Sequence, residues 1–484
     1  MSQSIVSGAQ ATAPQDLACL SAVELVAGFR SAAFSPSEVM AQVIGRLETV
    51  DAACNVVVTE LYDQATAAAE AATAAYRSGA VLGPLAGVPV TIKDLVFVKD
   101  VVAKGGAPSL ADFVPKADAH VVARLQEAGA IITCKTTTCE SGYKLTADSP
   151  VTGITRNPWS TDRTSGGSSG GAAAAVAGGG GPIAVGTDGV GSIRVPSSFC
   201  GVFGIKPTYG LVSRAPGFFP PSWGSLAHTG PIARTVADAA TMLEVLAGYD
   251  ARDAASFPSA YHFDTAGDGS LKGLVIGISP DLGYAAVDPQ VAAAFEAAVA
   301  TLSELGADVR LLETGIAPNI LEDILQPIAF AEQAASVGER DDQAFDASDP
   351  DFLKVIARGR TYSAVDYVEA SHRRSKLRGR FLELFGSVDV IATPTVAVTA
   401  FAAGTLGVDR IDGRPVDPHL GWSPFTWPMN LAGLPAASLP CGFDTDGLPI
   451  GLQVVAPWLQ EERLVTVASA FELARPWAQH WPAL

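Results

Sequence analysis

The chain has 484 residues, 48% of them hydrophobic, with 32 basic against 50 acidic side chains and a formal net charge of −18. That apolar content supports a large buried core, while so negative a surface repels nucleic-acid phosphates and anionic lipid and argues against both as partners. The six cysteines (Cys19, Cys54, Cys134, Cys139, Cys200, Cys441) are scattered without a C-x-x-C pair, which suits a reducing cytoplasm and speaks against a zinc site.

In chain order, residues 1–15 lack the charged and apolar segments of a signal peptide and read as a disordered tail. Residues 16–484 read as one domain, since no linker-like stretch divides them. Ser21 to Glu24 and Ser35 to Glu38 are capping boxes, the second with Pro36 at the first helical position. With an alanine-rich helix over Asp63 to Tyr76 they predict a helical layer spanning about residues 16–80. Gly83 to Asp94 is a turn followed by an apolar strand that ends in Lys93. Lysine is almost never fully buried unless paired, so a lysine closing an apolar strand is a candidate base. Alternation along the strand turns Asp94 away from it. Helix Ala119 to Glu127, Gly129 and strand Ala130 to Cys134 complete one βαβ step, with His120 as a surface or capping residue.

The stretch from Gly166 to Cys200 carries the chemistry. Thr164 to Thr187 holds no charge, but its Gly, Ala and Ser residues and a proline do not make the run of about 20 large apolar residues that spans a membrane, so it reads as core. The pattern is a loop over Arg163 to Gly171, a small-residue helix over about Ala172 to Ala177, a strand Ile183 to Val185 and a tight turn Gly186 to Ser192. Such turns present backbone N–H groups inward. Neither phosphate-loop pattern occurs between Gly166 and Gly191, which argues against nucleotide binding. Gly167 to Gly171 fits the G-x-S-x-G nucleophile elbow and makes Ser169 a nucleophile, with His228, His262, His372 and His419 as the downstream histidines. A serine activated by a lysine is the other reading, and Lys93 supplies the lysine.

Further on, a loop over Arg214 to Ser225 concentrates Phe218, Phe219, Pro220, Pro221 and Trp223, as a pocket wall or an internal lid. Gly230 to Gly248 bears a helix, and Tyr249 to Gly269 reads as a polar surface excursion. A second α/β unit has strands Leu274 to Ile278 and Asp308 to Leu312 around a helix Gln290 to Leu305, capped by Asp288-Pro289 and Gly306. Ile320 to Phe385 is helical with charged faces and an exposed His372, and Val388 to Thr395 is a core strand. Gly404 to Met429, with His419, Trp422, Phe425 and Trp427, reads as a long functional loop.

GVPVTIKD (Gly87 to Asp94), RNPW (Arg156 to Trp159), GGSSGG (Gly166 to Gly171) and GTDGVGSIRVPSSFCGVFGIKPT (Gly186 to Thr208) together resemble the amidase signature family. Asn430 to Val455 is similar to that family's C-terminal strand region, and the resemblance runs from about Leu20 to Leu473. It implies an α/β fold: one large domain with a central mixed, mainly parallel twisted sheet covered by helices on both faces. It further implies amide hydrolysis through an acyl-enzyme, with Ser192 as nucleophile, Ser168 as a serine bound through a cis peptide and Lys93 as base, and it displaces Ser169 from the nucleophile's place. The oxyanion hole falls to Gly189, Val190, Gly191 and Ser192, with Asp188 and Arg194 as scaffold and His228 in a structural role.

Two stretches depart from the family pattern. Where T-G-G-S is usual this chain has Gly189-Val190-Gly191-Ser192, and a β-branched residue with positive φ is an outlier, so either position 190 does not need positive φ or Gly189 takes it. Thr136 to Glu140 replaces a segment that tends to line the family's pocket, which makes Thr138 and Cys139 candidate substrate contacts beside Phe218, Trp223, Trp422 and Trp427. Those apolar groups point to small or medium apolar or aryl amides. No cofactor and no metal is expected, the location is cytoplasmic, and the helical layer leaves a homodimer open. Three alternatives stand beside this reading: the A subunit of a tRNA-dependent amidotransferase, from which Val195 and the aromatic loops differ; a serine esterase with Ser169 as nucleophile and His419 as base; and an idle binding scaffold, against which the three retained residues stand.

Overall fold

The first two long helices begin where the sequence puts their caps. In the computed structural model, which describes residues 16–217, 225–338, 345 and 347–484, Ser21 and Ser35 accept the N–H groups of Glu24 and Glu38 and each glutamate reaches back, opening α1 (Ala22–Arg30) and α2 (Pro36–Cys54). The expected tail over residues 1–15 and the expected pocket residues Phe218 and Trp223 lie outside the described residues. Next come β1 (Val57–Glu60), α3 (Tyr62–Arg77), β2 (Pro89–Lys93), α4 (His120–Glu127), β3 (Ile131–Thr136), α5 (Gly170–Ala177), β4 (Ile183–Asp188), α6 (Arg194–Cys200), β5 (Phe203–Lys206), β6 (His228–Ala233) and α7 (Val236–Leu246). The second half supplies β7 (Val275–Ile278), α8 (Pro289–Glu304), β8 (Asp308–Leu311), α9 (Gln326–Val337), α10 (Pro350–Gly359), α11 (Ala364–Leu384), β9 (Val390–Pro394), α12 (Trp427–Ala432), β10 (Ala436–Phe443), β11 (Pro449–Val455) and α13 (Glu461–Ala474).

All eleven of these strands join one sheet in the order β1-β3-β2-β4-β6-β5-β10-β11-β9-β7-β8. The sheet is mixed, as expected, but it is not mainly parallel. Only β2·β3, β2·β4, β7·β8 and β7·β9 run parallel, and the other six neighbour pairs are antiparallel. The physical reason lies partly in the β10–β11 connection: Asp444 to Gly447 turns the chain straight back, with Gly447 at φ +80°, and strands joined by a tight turn pair antiparallel. It lies also in β6, which inserts between β4 and β5 and runs against both.

Alternation along the strands sends side chains to the two faces of the sheet. Val90, Ile92, Ile183, Val185, Val390, Ala392, Leu452 and Val454 pack with α4, α7, α8 and α13 on one face. Ala184 and Ile232 meet α2 and α5 on the opposite face, while Ile391 and Val455 meet α9 to α11 there. The expected small-residue helix is α5, whose Ala172 to Ala177 are all buried between the sheet and α2. Among the described residues no helix is long and apolar enough to cross a membrane.

Candidate active site

Strand β2 lies between β3 and β4 and runs parallel to both, so the carboxyl ends of three strands open at one edge of the sheet, the place where open α/β sheets bind ligands. Lys93 closes β2, Thr187 sits near the end of β4, Ser168 lies in the turn entering α5 and Ser192 in the turn between β4 and α6. The Gly167–Ser168 peptide is cis. A Cβ at Gly167 would meet Thr146 O at 2.2 Å, so only glycine lets this turn approach its neighbour so closely. The two serine turns touch directly, Ser169 N–H donating to Ser192 O at 3.2 Å.

Lys93 is fully buried. Its Nζ lies 2.7 Å from Ser168 Oγ, 2.9 Å from Ser169 Oγ and 2.8 Å from Thr187 Oγ1. Burial pushes its pKa down to about 7, against weaker opposing pulls from Cys139 and Asp188. Asp94 faces away from it, as strand alternation requires: its carboxylate accepts from Lys135 Nζ at 3.1 Å and from Gly105 N–H at 2.7 Å. Burial raises the Asp94 carboxyl and lowers the Lys135 ammonium, so both members of that pair are eased toward neutrality.

Ser169 is saturated by hydrogen bonds. Its hydroxyl donates to Thr187 O at 3.1 Å and accepts from Thr187 N–H at 3.2 Å, besides its bond with Lys93. Ser168 and Ser192, by contrast, both line a cavity of about 780 Å³. Ser192 Oγ makes no hydrogen bond among the described residues, and in particular none with Ser168.

The turn that carries Ser192 is held from beneath. Asp188 accepts from Gly191 N–H at 2.7 Å, from Ile193 N–H at 3.2 Å and from Arg194 Nε and Nη2, both at 3.0 Å. Arg194, itself fully buried, also donates to Thr426 O, Gln453 Oε1 and Asn430 Oδ1. Burial alone would raise the Asp188 carboxyl, but the Arg194 guanidinium outweighs it and holds the group well below the usual carboxylate range. Of the two glycines in the turn it is Gly191, at φ +136°, and not Gly189, that takes the positive φ; Val190 keeps a negative one. Because Gly191 N–H is taken by Asp188, it cannot belong to the expected oxyanion hole. The N–H groups of Gly189, Val190 and Ser192 have no partner among the described residues.

A family model described as Amidase matches residues 38–465. A solved bacterial aryl acylamidase, described as belonging to the amidase signature enzymes, has a TM-score of 0.89 to this chain at 30% identity, covering 95% of this chain and 97% of its own. The chain belongs to the amidase signature family. An acylamidase from Rhodococcus erythropolis is 36% identical over 478 residues, spanning 97% of this amidase and 98% of that protein. The A subunit of glutamyl-tRNA(Gln) amidotransferase from Synechococcus sp. (strain RCC307) is 37% identical over 481 residues, spanning 92% of this amidase and 95% of that protein.

Four of the expected substrate contacts in this amidase stand elsewhere, in its core. Thr138 and Cys139 are buried away from the cavity lining, with the Cys139 thiol donating to Lys144 O at 3.4 Å and pushed up by burial to about 11. Trp422 stacks on Phe199 at 5.9 Å and meets Phe401 edge-on at 4.9 Å, while Trp427 donates Nε1–H to Leu420 O at 3.4 Å. Large aromatic rings gain most from full burial, and residues 420–429 fold inward for that reason, while most of 404–419 stays at the surface. His419, the base of the esterase alternative, lies 3.2 Å from Tyr143 O and stacks on Phe330. His120 is neither a surface nor a capping residue: it is buried, with Nδ1 3.3 Å from Asp250 Oδ2. His228 is buried with Nδ1 3.2 Å from Asp188 O, and burial keeps its ring well below the ordinary histidine pKa.

Arg214 to Gly217, from the start of the loop expected as a pocket wall or lid, line the cavity, and they are joined by groups that the sequence pattern passed over: Leu95, Val96, Ala119, Val121 and Arg252 to Ala255. The 249–269 segment is therefore not only a surface excursion. Asp253 accepts from Arg214 N–H at 2.9 Å and ties the two wall segments together. The one signal available was turn chemistry, since Asp250 and Asp253 each cap local N–H groups in Asx turns.

Proposed function

We propose that this amidase cleaves its substrate through a Ser192–Ser168–Lys93 relay and an acyl-enzyme. The observation that carries the reading is the buried lysine 2.7 Å from Ser168 Oγ, below a turn that presents Ser192 to the same cavity. Ser169 spends its only hydroxyl proton on Thr187 O, so Lys93 must donate to it. With a second N–H given to Thr187 Oγ1, the lone pair of a neutral Lys93 faces Ser168. Lys93 then accepts the Ser168 proton while Ser168 accepts that of Ser192, whose Oγ attacks the amide carbonyl. The missing Ser192–Ser168 hydrogen bond closes as substrate engages, since catalytic hydrogen bonds tighten in the reacting complex. Charge developing on the carbonyl oxygen meets the N–H groups of Gly189, Val190 and Ser192, and removing one such donor typically costs about 10²–10³ in rate. The relay returns the proton to the departing amine, and water attacking the ester by the same path frees the acid and restores Ser192.

The cavity walls favour apolar acyl or aryl groups of small or medium size: Leu95, Val96, Val121, Ala215 and Pro216 offer carbon surface, and each methylene-sized change in such a pocket discriminates by only about 1–3 kcal/mol. Breadth follows. The likeness to the A subunit of an amidotransferase makes glutamine the competing substrate. The free state of all six cysteines accords with a reducing cytoplasm.

Fluorophosphonate labelling with peptide mapping tests the relay, followed by anilide, alkyl amide and glutamine substrates. The label is expected on Ser192, Ser192→Ala should lose all turnover, and anilides should outpace glutamine. Ser169→Ala should keep a measurable rate, reduced because Lys93 loses one orienting partner. Label on Ser169, or turnover surviving in Ser192→Ala, would refute the assignment, and fastest release of ammonia from glutamine would favour the amidotransferase reading.

A further inference from the structure

The peptide unit between Val190 and Gly191 is gripped at both ends by groups outside the turn. Its N–H donates to Asp188 Oδ1 at 2.7 Å, and its carbonyl, Val190 O, accepts from Thr426 Oγ1 at 2.7 Å. Thr426 is 236 positions away in sequence and fully buried. Its backbone is fixed in turn, since Arg194 Nη1 donates to Thr426 O at 2.8 Å. Its hydroxyl has one proton. The nearest acceptor is Val190 O, with Ser423 O farther at 3.1 Å, while Ser423 Oγ at 2.8 Å donates into it. The result is a directed chain, Ser423 to Thr426 to Val190 O.

Such a grip matters because of where the glycines are. Gly189 and Gly191 flank Val190, and a glycine on either side offers the backbone little steric resistance to rotation of the intervening peptides. Were the 190–191 peptide to flip, Val190 O would turn toward the Asp188 carboxylate and Gly191 N–H toward Thr426, so both hydrogen bonds would be lost and the flanking N–H groups of Gly189, Val190 and Ser192 would be free to turn. Gly191 also admits the threonine: a Cβ there would stand 2.6 Å from Thr426 Oγ1.

We infer that Thr426 is a positioning residue for amide hydrolysis, fixing the 190–191 peptide so that the neighbouring N–H groups face the oxyanion. This rests on the reading of the turn as the oxyanion-binding element. It contributes to the transition state and not to substrate binding.

The test compares Thr426→Val, which keeps the shape and removes the hydroxyl, with Thr426→Ser, which keeps the hydroxyl. Steady-state kinetics on one anilide, inhibition by a boronic acid that forms a tetrahedral adduct, and Tm are read for each. Thr426→Val should lower kcat by roughly 10–100-fold, a fraction of the loss of a donor, with KM within about threefold and with boronate affinity falling in step with kcat. Thr426→Ser should stay within about threefold of the parent kcat. Should the valine variant not fold, Thr426→Ala is read in the same way. Parent-like kcat in the hydroxyl-free variant, or equal losses in Thr426→Val and Thr426→Ser with boronate affinity unchanged, overturns the inference. Ser192→Ala separates the two levels: if it is dead while Thr426→Val is fully active, the positioning role alone fails; if it retains turnover, the Ser192 relay on which the reading of the turn rests fails.

Discussion

Lys93 can act as a base only in its neutral form, and an exposed lysine, with a pKa of about 10.4, would be almost wholly charged at neutral pH. Burial disfavours the charged ammonium and brings this one to about 7. The sign follows directly: below that value Lys93 holds its proton and cannot accept another, so kcat should rise with pH through one ionisation near 7 and level off above it. Lys93→Arg should be as damaging as Lys93→Ala, each losing about 10³-fold or more in kcat, because a guanidinium keeps its proton at any working pH. A flat pH profile, or an arginine variant with parent-like kcat, would reduce Lys93 to a structural group. At this scale much was legible. The motifs placed Lys93, Ser168 and Ser192 where the chain brings Lys93 beside Ser168 and opens Ser168 and Ser192 to one cavity. Which glycine absorbs the positive φ was not legible, because besides the local capture of Gly191 N–H by Asp188 it depends on Thr426 reaching Val190 O, a contact across 236 positions that local sequence does not encode.

Among the elements, α5 is where side-chain size decides most. Gly170 and Gly171 form its first turn, and a Cβ at Gly171 would stand 2.2 Å from Thr137 Oγ1 and 2.5 Å from Thr137 N, atoms of β3's continuation that cannot move without breaking the bond from Thr137 N–H to Val56 O. Gly171→Ala should therefore destabilise by roughly 1–3 kcal/mol or more through overpacking, in spite of alanine's better helix propensity. Gly45, on the exposed side of α2, leaves open space for a methyl group, with nothing within 4 Å of where its Cβ would stand, and Gly45→Ala should stabilise by about 0.5–1 kcal/mol. Denaturant unfolding of the two variants separates them by sign; a neutral Gly171→Ala would mean that α5 can shift. The helix was legible because six small apolar residues follow a glycine turn. Strand β6, His228 to Ala233, was not: its Gly230 and Pro231 argue against a strand by local rules, yet it pairs with both β4 and β5, and Gly230 is needed because a Cβ there would meet Ile205 O at 2.2 Å.

Across the whole molecule, the sheet order separates the chain into two parts that meet at one seam. Strands β1 to β6 fill one side, β7 to β11 the other, and β5 pairs with β10 through Ala436 opposite Lys206. Local patterning could read the βαβ steps within each part but not this junction, whose antiparallel pairing joins residues 230 positions apart. Helix α6 packs across the seam against β5, β10 and β11, and Ser192 lies just before it, so the turn that carries Ser192 rests on both parts at once. Gln453 on β11 is the far anchor: it accepts from Arg194 Nη1 at 2.7 Å and donates to Thr393 Oγ1 at 3.0 Å and to Phe425 O at 2.9 Å, all buried. Gln453→Leu keeps the volume but strips three hydrogen bonds from groups with no access to water, and each orphaned buried partner costs about 1–3 kcal/mol, more where one is charged. Stability and kcat should then fall together, Tm dropping with a loss of several kcal/mol, because Arg194 loosens its hold on Asp188 and the turn above it. Thr426→Val should also lower Tm, because it orphans the buried Val190 O, but by less than Gln453→Leu, which orphans three partners, so the larger Tm loss marks the seam anchor. Calorimetry and anilide kinetics on Gln453→Leu decide it: a variant with lowered Tm but parent-like kcat would show that the Ser192 turn does not depend on Gln453 for its hold.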